Sequence, residues 1–423
     1  MNETPDRRTV LAGLAATTSL GIAAPALAKS SPNVVIVGGG FGGASAAMQF
    51  RKIAPNIKVT LIEPSSAYTA CPFSNLVIGG SRNISLQTFA YSGLKAAGVK
   101  LIQDYAKQID PDTKTVTSRD GISLTYDRLI LSPGIDFIWD AIEGFDETAA
   151  QNMPHAWKAG LQTELLAQQL QAMEDGGVVA ISVPPPPFRC PPGPYERASL
   201  IADYLKRHKP RSKLVILDSQ DRFSKQPLFE AAWRDLYPGI IERMPGSESG
   251  QVIRVESKTR KLFTDFDELS VDVANVIPPQ KAGKIAHIAA VANATGWCPV
   301  NAVTFESTLA PNVHVIGDAT IASPMPKSAF SANLQGKICA AQIARILAGQ
   351  PPIATTLSNT CYSYAAPDYA FSVSGVYHND GAAFQSVPGA GGTSPIGAEA
   401  SLRLAEARQA EDWFKTITRE AFG

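Results

Sequence analysis

The chain is 423 residues long, 45% hydrophobic and 18% charged, with 38 basic and 38 acidic side chains. That composition excludes wholesale disorder, and the charge balance gives no support to a basic nucleic-acid binder or an acidic solvating tail. Five cysteines are too few for a disulfide scaffold, and at roughly 150 residues per domain the length allows two or three domains.

The first segment, residues 1–28, reads as a twin-arginine export signal. Arg7 and Arg8 precede a mildly apolar stretch from Val10 to Ala24, and Ala26-Leu27-Ala28 offers small residues for cleavage. Thr17, Thr18 and Ser19 make the stretch weakly hydrophobic for an anchor. No later run reaches the ~18 apolar residues that a spanning helix needs. The expectation is a periplasmic protein with no stable membrane insertion after signal cleavage.

Asn33 to Val37 is a short apolar run that predicts a buried strand. It enters Gly38-Gly39-Gly40-Phe41-Gly42-Gly43, followed by a helical pattern over Ala44 to Lys52 and a second strand, Lys58 to Ile62, that ends at Glu63. Gly38, Gly40 and Gly43 have the G-x-G-x-x-G spacing, which permits a tight turn, close backbone approach to a pyrophosphate and close helix–strand packing. The following helix N-terminus favours phosphate charge, and Glu63 stands where a carboxylate can hold ribose hydroxyls. The pattern predicts dinucleotide binding. Further on, Tyr126 to Gly134 is a strand ending in small residues. Gly177 to Ser182 is another strand, Ala294 to Pro299 a turn, and Val313 to Ala319 a strand ending in Gly317-Asp318.

These segments resemble the two-dinucleotide-fold flavoprotein disulfide reductases. The resemblance implies an α/β fold with two Rossmann-like domains: an FAD-binding domain over 29–140 and 295–350, and an inserted NAD-like domain over 141–294. A C-terminal α+β interface region follows over 351–423. It also implies FAD as cofactor, with Gly317 and Asp318 at the flavin ribityl chain. After the strand at 177–182, where a second glycine fingerprint belongs, the chain has Pro184 to Pro187, Pro191, Pro192 and Pro194. Proline has no N–H to donate and a locked φ, so the nicotinamide site is expected to be lost.

The segments TACPFSN, FRCPPGPYERAS, GWCPV, SPMPKSAFSAN and SNTCYS together resemble the flavoprotein subunit of flavocytochrome c sulfide dehydrogenase. The likeness runs from about residue 33 to the end. It implies that Cys71 tethers FAD covalently, that Cys190 and Cys361 form a redox disulfide beside the flavin, and that a c-type cytochrome subunit completes a heterodimer. Residues alone left Cys298 as a competing partner, because its Gly-Trp-Cys-Pro turn returns to the flavin domain. Cys190 lies ahead of a helix expected over Pro194 to Lys206, whose dipole, with Arg189, favours a thiolate. Cys339 lies in a predicted helix, Asn333 to Ala348, and reads as core. Lys327, before another helix start, is a candidate for the flavin pyrimidine ring.

His155, His208, His287, His314 and His378 lack metal-ligand spacing, and no C-x-x-C-H offers a haem of the chain's own. Over Ala398 to Phe422, residues Leu402, Leu404, Trp413, Phe414 and Ile417 suggest an amphipathic helix docked on the core. In the related quinone enzymes a C-terminal amphipathic region anchors to the membrane. The acids Glu406, Glu411 and Asp412 weigh against that here. The expected activity is sulfide oxidation through the disulfide and FAD, with electrons passed to the cytochrome. The alternatives are a sulfide:quinone oxidoreductase, an accessory flavoprotein stimulating a thiosulfate-oxidising complex, and an NADH-dependent reductase.

Overall fold

A computed structural model describes residues 31–379, 381 and 383–423. The export signal read over 1–28 lies outside them. Five parallel strands form the first sheet, in the order Val313–Val315, Arg128–Leu131, Asn33–Val37, Lys58–Ile62, Lys100–Ile102. The apolar runs read from sequence are buried here on both faces: Val34 and Ile36 cluster with Phe41, Ala47 and Ile343 of the flanking helices, and Val35 and Val37 with Ile109 and Val116 of the antiparallel strands Ala106–Asp110 and Thr115–Ser118. Val34, Val35 and Ile36 have no exposed surface. The helix Phe41–Ile53 begins directly at the glycine turn. The central position of Asn33–Val37 puts that turn at the carboxyl edge of the sheet, where open α/β sheets bind ligands.

A second parallel sheet runs in the order Ile241–Met244, Lys213–Asp218, Val178–Val183, Val273–Val276. The helix Gly193–His208 follows the proline segment, with Pro194 in its first turn, where a missing N–H costs nothing. One apolar cluster joins the two sheets, from Val35, Leu129 and Val313 to Val179, Ile181 and Leu214.

The loop end of the second sheet is closed by the chain's own side chains. Asp218 ends a strand at the place a ribose-binding acid takes in dinucleotide domains. It is fully buried, accepts a hydrogen bond from the Tyr195 hydroxyl at 2.8 Å and pairs with Arg243 at 2.8 Å. Phe223 stacks on Tyr195 with centroids 3.5 Å apart.

The strands Thr356–Ala366 and Tyr369–Asn379 form a long antiparallel hairpin that places Cys361 opposite Val373. The helix Ala400–Phe422 packs on this hairpin and on the helix Phe41–Ile53. Its buried face is Arg403, Ala407, Ala410, Phe414, Ile417 and Ala421, a three-to-four-residue period. Leu402 and Leu404 are 39% and 37% exposed and so lie off the face expected from sequence. The pair Arg403–Glu406, 3.2 Å apart, takes the buried turn instead. At the far end Phe422 stacks on Phe89 and Tyr68. No helix among the described residues is long and apolar enough to cross a membrane.

Candidate functional site

A cavity of about 740 Å³ lies between the glycine turn, the proline segment and the hairpin. That volume is in the range of cofactor sites. Gly38, Gly39, Gly40 and Gly42 line one end. Gly38 has φ +100°, and a Cβ there would sit 2.3 Å from the Ser132 carbonyl oxygen. Gly43 is behind the lining, where a Cβ would come within 1.9 Å of the Gly38 carbonyl oxygen. Gly38 and Gly43 therefore serve the turn and the packing that their spacing implies. The Glu63 carboxylate accepts from the Gly39 and Ser65 amides at 2.8 and 3.0 Å, which holds it at the mouth of the turn.

Gly317 and Asp318 line the cavity from the end of the strand Val313–Val315, at the same carboxyl edge of the sheet. The Gly317 amide donates to Gln335 Oε1 at 2.7 Å, fixing the turn. Asp318 Oδ2 lies 3.8 Å from Arg189 Nη1, while Oδ1 is buried without a hydrogen-bond partner. A buried carboxylate oxygen of this kind calls for a donor, and burial raises the Asp318 pKa. A ligand hydroxyl at that point would satisfy it.

Lys327 does not line the cavity. Its ammonium donates to the carbonyls of Asp318 and Thr320 at 2.8 and 2.7 Å and lies 3.8 Å from the centre of the Trp297 ring. This corrects the expected contact with the flavin: the lysine braces the Gly-Asp turn from behind. Burial lowers its pKa to about 8. Ser328, Ala329 and Phe330, at the start of the helix Ala329–Leu347, do face the cavity.

Three of the five cysteines face this space. Cys71, Cys190 and Cys361 are half-buried cavity residues from three distant segments. Cys71 approaches the Trp157 carbonyl at 4.0 Å, beside Arg189, whose guanidinium donates to the same carbonyl. Cys190 takes a left-handed backbone, φ +56°, uncommon outside glycine. Its amide donates to the Lys327 carbonyl at 2.9 Å, and its carbonyl accepts from Gly193 at 2.8 Å. All five cysteines are free thiols in this structure.

Burial pushes the Cys190 thiol well above its ordinary pKa, with Cys361 and Glu196 adding to the rise. Against the expected thiolate, desolvation outweighs the opposing charges of Lys225 and Arg189 in the dithiol state. Cys361 is also raised by burial, with Lys225 opposing. Cys298 is fully buried on the short strand pair with Thr320. It is not a lining residue, and burial pushes its pKa up to about 12. Cys339 is fully buried in its helix, as core. His314 is buried with Nδ1 2.8 Å from the Thr304 carbonyl, a structural role.

Sequence reading missed the side chains that complete the cavity. Glu196 sits on the helix after Cys190, accepting from the Tyr364 amide at 3.0 Å and from Asn75 Nδ2 at 2.8 Å. Trp157, Tyr362 and Trp413 also line the space. The only advance signal was that Glu196 falls in the first turns of the helix expected after Cys190.

Comparison with known proteins agrees with this architecture. The model of the central part of the sulfide dehydrogenase (flavocytochrome c) flavoprotein chain matches residues 163–278. The model of its flavin-binding part matches 353–422, and that of the pyridine nucleotide-disulphide oxidoreductases matches 32–170. The flavoprotein chain of sulfide dehydrogenase from Chlorobaculum thiosulfatiphilum is 64% identical over 44 residues, 10% of this chain and 92% of that one. Mouse mitochondrial sulfide:quinone oxidoreductase is 25% identical over 336 residues, 77% of this chain and 74% of its own. The crystal structure of sulfide:quinone oxidoreductase from Aquifex aeolicus superposes with a TM-score of 0.71 at 18% identity, covering 92% of both chains. The glycine turn, where a Cβ at Gly38, Gly39, Gly42 or Gly43 would come within 3 Å of a neighbouring atom, and the unpartnered Asp318 oxygen fit FAD at its pyrophosphate and its sugar-alcohol chain. An FAD-binding oxidoreductase of the sulfide-oxidising flavoproteins, this chain belongs to the flavocytochrome c sulfide dehydrogenase flavoprotein family, within the pyridine nucleotide-disulphide oxidoreductases.

Proposed function

We propose that the chain is the flavoprotein of a periplasmic sulfide dehydrogenase that oxidises sulfide at Cys190 and Cys361 and passes the electrons to a c-type cytochrome subunit. The observation that carries this reading is the convergence of Cys190 and Cys361, 171 positions apart in the chain, on the cavity that also holds the glycine turn and Asp318. Hydrosulfide attacks the disulfide form of the pair. One sulfur–sulfur bond forms, the bond between the cysteines breaks, and one cysteine leaves as thiolate, the species active in exchange. Bound FAD supplies a two-electron acceptor that can discharge one electron at a time. The net change is hydrosulfide to zero-valent sulfur, a proton and two electrons.

Gly38, Gly40 and Gly43 would take the pyrophosphate, Glu63 the ribose, and Gly317 and Asp318 the ribityl chain. Cys71, facing the same cavity, is the proposed covalent tether. Acid precipitation of the holoprotein is expected to leave yellow colour in the pellet, and Cys71→Ser to release it to the supernatant. Free flavin from the unaltered protein would remove the tether.

The flavocytochrome family models and the 64% identical stretch favour a cytochrome acceptor. So does the C-terminal helix, whose apolar face is spent on the hairpin and the first helix. A quinone acceptor is the second reading, favoured by the 336-residue similarity to the mouse quinone enzyme. Anaerobic titration separates the readings. Sulfide is expected to bleach the flavin, and NADH to leave it unchanged, because the proline segment lacks the N–H donors of a phosphate cradle and Arg243 already pairs with the Asp218 carboxylate. The bleached protein is expected to reduce a soluble c-type cytochrome faster than decylquinone. Decylquinone winning by tenfold or more would transfer the protein to the quinone class, and bleaching by NADH alone would place it with the ordinary reductases.

A further inference from the structure

Lys225 lies just before the helix Gln226–Leu236, in the part of the chain that resembles a nicotinamide domain. Its side chain does not return to that domain. It is 7% exposed and reaches the hairpin, where Nζ donates to the Cys361 carbonyl at 2.8 Å and to Ser363 Oγ at 2.7 Å. The backbone at Lys225 is left-handed, φ +63°, a conformation that costs a lysine energy and persists only where its surroundings hold it. Burying an ammonium is expensive unless it is paired or solvated by polar groups. A structural anchor for the hairpin needs only a neutral donor. A full positive charge beside a thiol of the proposed redox pair has a second use.

We propose that Lys225 is a positioning residue for the sulfur chemistry: its ammonium holds the Cys361 segment in register and stabilises Cys361 as the thiolate whenever the Cys190–Cys361 bond is open. The inference rests on the sulfide reading above. Hydrosulfide bonds to the Cys190 sulfur, the bond between the cysteines breaks, and its electron pair stays on Cys361. One anion enters and one anion remains, so the charge that Lys225 faces is conserved through the step. The direction follows from leaving-group chemistry, in which the thiol better stabilised as an anion departs faster.

The groups facing Cys361 bear this out. Lys225 opposes the rise in the Cys361 pKa both as a charge and as a hydrogen-bond donor, and it opposes the rise at Cys190 as a charge only. Glu196, from the helix Gly193–His208, raises both thiols. Arg189 acts on Cys190, and Tyr377 faces Cys361 from the partner strand. Arg197, also near Cys190 and Glu196, is engaged with Asn75, Asn275 and the carbonyls of His155 and Ala156.

The test is the pH dependence of iodoacetamide alkylation at Cys361 in the dithiothreitol-reduced holoprotein, read by peptide mass spectrometry. Thiolate alone reacts, so the midpoint reports its stability. In Lys225→Met and Lys225→Gln the midpoint is expected to rise by at least about one pH unit, which lowers reactivity at pH 7 about tenfold. Lys225→Arg is expected to restore the midpoint. Glutamine keeps a donor for the Cys361 carbonyl without the charge, so it decides the matter if the methionine variant does not fold. Sulfide-driven flavin reduction in the neutral variants should show the same upward shift of its pH profile. An unchanged Cys361 midpoint in folded, yellow Lys225→Gln would overturn the proposal. A shifted midpoint in a protein whose flavin sulfide never bleaches would keep Lys225 as the thiolate's partner and discard the sulfide reading instead.

Discussion

Cys190→Ser is expected to abolish bleaching of the flavin by sulfide, with a loss of at least about a thousandfold in rate, because a hydroxyl cannot form or leave a sulfur–sulfur bond. Cys361→Ser is expected to do the same. The two losses should not add in the double variant, since each removes the whole exchange step. FAD content should be unchanged, because neither cysteine belongs to the glycine turn or to the Gly317-Asp318 turn. Cys298→Ser gives the contrast. Its side chain is fully buried off the cavity, and loss of sulfide reactivity there would replace Cys361 in the pair. Anaerobic stopped-flow absorbance with sulfide as sole reductant reads all of these. Near-normal bleaching by Cys190→Ser would end the disulfide mechanism.

Gly43→Ala is expected to yield protein without flavin and with a sharply lowered Tm. The added Cβ would meet the Gly38 carbonyl oxygen at 1.9 Å, a backbone atom that cannot move without opening the turn. Either the helix Phe41–Ile53 shifts off the sheet or the turn distorts, a cost of about 3 kcal/mol or more, at the upper end for single substitutions. Gly38→Ala adds backbone strain at φ +100° and a 2.3 Å approach to the Ser132 oxygen. Gly98→Ala is the control for strain alone, since φ is +86° there with nothing within 4 Å of the added Cβ. The ratio of flavin to protein absorbance and thermal denaturation measure both effects. Normal flavin content in Gly43→Ala would mean that the turn is not the pyrophosphate cradle.

Much of the first dinucleotide fold was legible because its signals are local. The strands at 33–37 and 58–62, the glycine spacing and Glu63 are read from residues adjacent in the chain, where backbone freedom and strand period act directly. The helix after the proline segment was legible for the same reason. The hairpin at 356–379 was less so. Its strands alternate between small, aromatic and polar residues, and the helix Ala400–Phe422 that packs on it comes later in the chain. Leu402 and Leu404 drew attention on hydropathy, yet Arg403 and Glu406 took the buried turn because they satisfy one another there.

The sequence by itself pointed to the Gly38–Gly43 turn as a dinucleotide cradle and, through resemblance, to a flavoprotein of a sulfide-oxidising kind. Those features depend on contiguous residues whose conformational limits are intrinsic. The tertiary structure decided which cysteines share the cavity, that Lys327 braces a turn, and that Cys190 is desolvated. It also decided that Lys225 crosses from one part of the chain to the carbonyl of Cys361. Charge and burial at a point in space are sums over segments distant in sequence, and a pKa or an ion's partner exists only once those segments have been packed together.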